Sequence, residues 1–124
     1  MDVILTKANL YVEPGLKLIV AANSAEIHEL AKKIQRSVGF ELPSQVLRDD
    51  GRKIKCRFHF QNNEENEGYF IGNKCIDLMM SPETAVRSVE LLGSLGDHSN
   101  DAFQFLDLAD PKNESFAVIV QLVK

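Results

Sequence analysis

The segment RKIKCRFHF, residues 52–60, decides the fold class. Ile54, Cys56, Phe58 and Phe60 take every second position, and Lys53, Lys55, Arg57 and His59 take the positions between them. Successive side chains of a strand point to opposite faces, so this spacing sends one set into a core and the other outward. A helix would scatter both sets around its axis. The segment therefore reads as a β-strand carrying a cationic stripe, with about 6–7 Å between neighbouring charges.

Asp49, Asp50 and Gly51 precede this strand as a hairpin turn, because Asp-Gly supplies the positive φ that tight turns need. Residues 45–48 form the other arm. Upstream, 3–12 and 16–22 read as strands around Glu13-Pro14-Gly15. The near-continuous apolar run at 16–22 predicts a central strand covered on both faces. Ile27, Leu30, Ala31, Ile34 and Val38 then recur at helical spacing. Ser24 is the expected N-cap, Glu26 falls in the first turn, and Lys32, Lys33 and Arg36 lie near the end, where the helix dipole favours cations. Gly39 is the expected stop. Pro43 argues against a central strand at 40–44, which reads as a connection.

Downstream, 61–67 reads as an exposed acidic loop. Residues 69–71 and 74–80 form a hairpin about Gly72-Asn73. Ser81 and Pro82 open a second helix, a cap followed by proline at the first helical position. Ala85, Val86, Val89, Leu92 and, at its last turn, Leu95 are expected to line its buried face, and Gly96 ends it. After a polar loop at 97–101, strands at 103–108 and 116–123 flank a turn at 110–114. Apolar residues on both faces of 116–123 predict a central or interface strand.

These elements predict an α+β fold: a mostly antiparallel sheet with two helices packed on one face, in a single domain over 1–124. Both halves run hairpin, helix, hairpin, an order that admits a ββαββ pseudo-duplication.

The 124 residues, 44% hydrophobic and 26% charged, suit one globular core. A net charge of -4 argues against broad phosphate-backbone binding, so nucleic acid is not an expected partner. The apolar runs are too short to span a bilayer, and no basic stretch leads into a long apolar core at the N-terminus. The expectation is a cytoplasmic protein with no membrane partner, in which Cys56 and Cys75 are buried, free, inert core thiols.

No residue pattern spells chemistry. His28, His59 and His98 lack metal-ligand spacing, the glycines lack phosphate-loop spacing, and Asp97-His98-Ser99 is adjacency rather than triad geometry. No metal and no cofactor is expected, and the reading leans against an enzyme. Charge is the informative feature: residues 24–60 carry eight basic and five acidic side chains, residues 61–124 four basic and eleven acidic. The candidate binding surface comprises Lys53, Lys55, Arg57 and His59, with Glu64, Glu65, Glu67, Asp97, His98 and Asp101 from the loops. The function expected from this is a small non-catalytic protein-binding module, its acidic half offered to a basic partner protein, with an immunity- or antitoxin-like protein as the concrete version. The alternatives are a structural or regulatory homo-oligomer associating through 116–123, and an enzyme or small-molecule binder whose site is assembled from remote residues. A pocket holding His59 or His98 beside a carboxylate would favour the last.

Overall fold

The alternation at 52–60 is realised. Ile54, Cys56 and Phe58 are buried, while Lys53, Lys55 and Arg57 are exposed, in the strand Lys53–Phe60. The computed structural model describes residues 1–9, 15–62, 67–106 and 116–123. In chain order the elements are β1 (Asp2–Thr6), β2 (Leu16–Ala22), α1 (Ser24–Gln35), β3 (Phe40–Glu41), β4 (Val46–Arg48), β5 (Lys53–Phe60), β6 (Gly68–Ile71), β7 (Cys75–Met80), α2 (Pro82–Gly96), β8 (Ala102–Leu106) and β9 (Phe116–Leu122). The expected strand ends at 10–12 and 107–108, and the turn at 110–114, lie outside the described residues.

All nine strands belong to one sheet, ordered β6-β7-β5-β4-β1-β2-β9-β8, with β3 beside β5. The four expected hairpins, β1–β2, β4–β5, β6–β7 and β8–β9, pair antiparallel. The sheet is nevertheless mixed, not mostly antiparallel. β1 pairs with β4, β2 with β9 and β5 with β7 in parallel, and the last two are the longest ladders in the sheet. Hairpins are signalled by the turn between their arms, whereas parallel partners need a crossover and leave no local signal.

The sheet curls into a half-barrel. Tyr69 on β6, the first strand of the order, stacks on Phe116 of β9, the seventh, with ring centroids 4.0 Å apart. The inward residues of β1, β2, β5, β7 and β9 join Ile27, Leu30, Ala31 and Ile34 of α1 and Ala85, Leu92 and Leu95 of α2 in one core cluster, whereas Val86, expected on the buried face of α2, is 63% exposed because the buried stripe runs through Ala85, Ser88 and Leu92 instead. Both helices thus cover the same face of the sheet. Among the described residues, no helix is long and apolar enough to cross a membrane.

β2 and β9 are central, as their apolar runs predict. Lys17, Ile19 and Ile119 point away from the helices yet are buried. The Lys17 ammonium donates to the carbonyls of Ala8 and Gly15, both at 2.9 Å, so this buried cation also ties the two ends of the β1–β2 connection together. The apolar character of 116–123 is therefore used inside the chain. β9 is flanked by β2 and β8 and Ile119 is fully buried, so self-association through this strand loses its motive.

Local details depart from expectation where side chains decide them. Asn23, not Ser24, caps α1: its side chain accepts from the Glu26 amide at 2.8 Å, and the Glu26 carboxylate accepts from the Asn23 amide at 3.0 Å. Ser24 instead donates to the Gly96 carbonyl at 2.6 Å, joining the start of α1 to the end of α2. α1 ends at Arg36 and Ser37, which takes φ 55°, before Gly39 is reached. Residues 40–41 form a short strand on β5 rather than only a connection.

Two glycines of α2 separate helix propensity from packing. A Cβ on Gly93 would meet nothing within 4 Å, whereas one on Gly96 would lie 2.7 Å from His28 Nε2. Gly93→Ala is therefore expected to stabilise the fold by about 0.5–1 kcal/mol in chemical denaturation. Gly96→Ala is expected to bring no such gain until His28→Ala removes the ring, and additive single-mutant effects would contradict that contact.

Candidate binding face

The site follows from register. The parallel ladder sets Lys55 beside Cys75, Arg57 beside Asp77 and His59 beside Met79, and β3 adds Glu41 beside Arg57. On β6, Phe70 lies opposite Asp77 and is 60% exposed. The helices cover the other face of the sheet, so these side chains stand on its outer surface.

Asp77 is the hub. His59 Nε2 lies 2.7 Å from its Oδ1, so the ring carries its proton on that nitrogen. Arg57 Nε lies 3.4 Å from the same oxygen. The Cys75 thiol donates to Oδ2 at 3.3 Å and accepts from Arg57 Nη2 at 2.9 Å. Partial burial pushes the Asp77 carboxyl up, but the hydrogen bonds from His59 and Cys75 and the charges of Arg57 and His59 outweigh it and hold the group below its ordinary value.

Cysteine, histidine and aspartate thus meet, in an order unlike that of a nucleophilic triad. There the imidazole sits between nucleophile and carboxylate. Here both the Cys75 thiol and the His59 ring bond to the carboxylate, which sits between them. Arg57 and His59 are also 48% and 42% exposed in their side chains, so water surrounds the cluster. Cys56, on the inner face, is the expected buried free thiol, its pKa pushed up to about 12 by burial, whereas Cys75, also expected in the core, is only half-buried because the parallel register turns it to the outer face. Among the described residues, no group of three or more His, Cys, Asp or Glu side chains is placed to hold a metal ion.

The structure separates the sequence-predicted surface residues. Lys53, Lys55, Arg57 and His59 share the outer face of β5. Lys53 and Lys55 form no ion pair among the described residues, whereas Arg57 and His59 share Asp77. Glu64 and Glu65 lie outside the described residues. Glu67, expected in an exposed loop, is 3% exposed and accepts from the amide and hydroxyl of Ser81 at 3.1 and 3.2 Å, at the start of α2. A carboxylate there satisfies amides that have no partner within the helix and suits its dipole. Asp97, His98 and Asp101 are exposed, but they lie between α2 and β8, the edge strand at the other end of the sheet order from β6 and β7. Asp97 Oδ1 is 3.1 Å from His28 Nε2. Sequence reasoning missed Asp77, Cys75, Phe70 and Glu41. The alternation of 75–80 places the first two on an outer face, but only the β5–β7 pairing shows that it is the same face.

No family model matches the chain, and no curated protein matches it. Among solved structures, the crystal structure of Drosophila Suppressor of Fused is similar, with a TM-score of 0.50 and 12% identity over 99% of this chain and 26% of that one. The chain thus spans about a quarter of that protein's length, and the likeness is one of fold.

Because folding lowers the Asp77 pKa, its network contributes stability in full above the ordinary value of 3.8 and loses it as pH falls through the lower folded value. Asp77→Asn is expected to cost about 1–2 kcal/mol at neutral pH. In denaturation curves from pH 7 to 3, the gap between wild type and variant should narrow below about pH 4. A constant gap would contradict an ionised hub.

Proposed function

We propose that the chain is a non-catalytic protein-binding module whose cationic outer face takes an acidic segment of another protein. The observation that carries this reading is the row Lys53, Lys55 and Arg57: solvent-facing, spaced by two residues along one strand, with the first two lacking any carboxylate among the described residues. Strand geometry fixes the backbone of the row without a partner, so binding has only the side chains left to order. This reverses the polarity expected from composition. Of the acids meant to face a basic partner, Glu67 is spent on α2 and Asp97 faces His28.

A protein segment fits better than nucleic acid. Asp77 and Glu41 interrupt the positive field, and the chain carries a net charge of -4, both unfavourable to a continuous polyanion. Phe70 adds an exposed aromatic on the same face, the kind of group enriched at protein contacts. In the immunity- or antitoxin-like version of this reading, the acidic partner is a toxin whose activity falls on binding.

We also read residues 1–124 as one domain of two interlocked ββαββ halves. Exchanging β1, β2, β4 and β5 for β6, β7, β8 and β9 turns the β2–β9 ladder into the β7–β5 ladder, both parallel. It also exchanges the β1–β2 and β4–β5 hairpins for β6–β7 and β8–β9.

The immobilised chain, exposed to extract of its native host, is expected to retain an acidic protein identifiable by mass spectrometry. Lys53→Glu with Lys55→Glu should reduce that retention by about tenfold or more, with the fold intact by circular dichroism. Equal retention by the double variant, or retention of nuclease-sensitive material in place of a protein, would overturn the reading.

A further inference from the structure

The outer face does not end at the stripe. The β1–β4 ladder pairs Ile4 with Leu47, and the β4–β5 ladder pairs Leu47 with Lys53. Ile4, Leu47 and Lys53 therefore form one row across three neighbouring strands. The adjacent row, Val3, Val46 and Ile54, points inward and is buried, which sends the first row outward. Leu47 is 43% exposed, although it sits in the middle of this row.

A cleft of ≈ 560 Å³ opens over the same row, lined among others by Asp2, Ile4, Ser44, Gln45, Leu47 and Lys53. Its floor is aliphatic and its mouth on the β5 side is the first cation of the stripe. Lys53 thus belongs to both features. Among the described residues its charge is not paired. A purely apolar occupant would leave that ammonium desolvated at its rim, and a purely acidic one would leave Ile4 and Leu47 in water. Charge complementarity along β5 and apolar surface across β4 are satisfied together by one kind of sequence.

We infer that this cleft seats an aliphatic side chain immediately flanking the acidic residues of the partner segment. The inference rests on the binding reading above and names the second determinant of that partner. The segment runs along β5 with its carboxylates over Lys53 and Lys55. Its aliphatic end turns across Leu47 and shields it from water, and the exposed Gln45 offers its amide to the segment's backbone at the cleft wall, where the Ser44 hydroxyl already donates to the Met1 carbonyl.

Two labelled peptides test this by fluorescence anisotropy at low salt: six glutamates, and the same six preceded by leucine. Both are expected to bind wild type, the leucine peptide about tenfold more tightly. In Leu47→Ser, an exposed position that tolerates the change, the two affinities should become equal. Equal affinities on wild type, or a leucine advantage that survives in Leu47→Ser, would overturn the aliphatic seat while leaving the cationic face standing. Failure of both peptides to bind wild type would overturn the seat and the binding reading together.

Discussion

The parallel ladder between β5 and β7 is the constraint on which the outer face depends. Its inner side packs Ile54, Cys56 and Phe58 with Ile76, Leu78 and Met80, all at most 2% exposed. A slip by one residue would put Lys53, Lys55 and Arg57 into that core and its apolar residues into water, so burial fixes the register. The outer side then has no freedom left. Arg57 must face Asp77, Cys75 must stand between Lys55 and the Asp77 carboxylate, and Lys53 and Lys55 must remain at the surface. The charge pattern proposed to bind a partner is thus a by-product of the hydrophobic register.

The same logic holds at the other end of the sheet. β2 and β9 pair in register over seven residues and are largely buried on both faces, so most of the apolar run at 116–122 packs within the chain. The curl that brings Tyr69 against Phe116 wraps the sheet around the two helices. The helices are tied to each other where Ser24 donates to Gly96 and His28 lies against the same glycine. On the outer surface around β4, β5, β6 and β7, the exposed Leu47 and Phe70 stand near the exposed charges of Lys53, Lys55 and Arg57. The Cys75–Asp77–His59 cluster has the residue types of a nucleophilic site in an order that stabilises a carboxylate.

Much of this was legible in the sequence. Period-two alternation placed β5, the turn residues placed four hairpins, and Ser81-Pro82 placed the start of α2. Each of these is a local signal, in which residues a few positions apart constrain one another. What could not be read was which hairpin lies beside which. Nothing near Arg57 announces Asp77, twenty residues on, so the hub of the site stayed hidden while its stripe was visible. Glu67 misled for a related reason: an acid among acids looks solvent-facing until the helix start that it satisfies is brought to it. Asn23 and Ser24 are both good caps by composition. The choice fell to Asn23 because Glu26 completes the reciprocal pair, leaving Ser24 free to reach α2.

Lys53 and Lys55 stand on an open sheet face with no carboxylate partner among the described residues, and this is what the binding reading depends on. Mapping backbone amide shifts by nuclear magnetic resonance, while a hexaglutamate peptide is added at low salt, addresses it most directly. The largest shifts should fall on Lys53, Lys55 and Arg57 and their neighbours Cys75 and Asp77, and should shrink as salt is raised. Shifts concentrated instead at 97–101 or along α1, or shifts indifferent to salt, would contradict it.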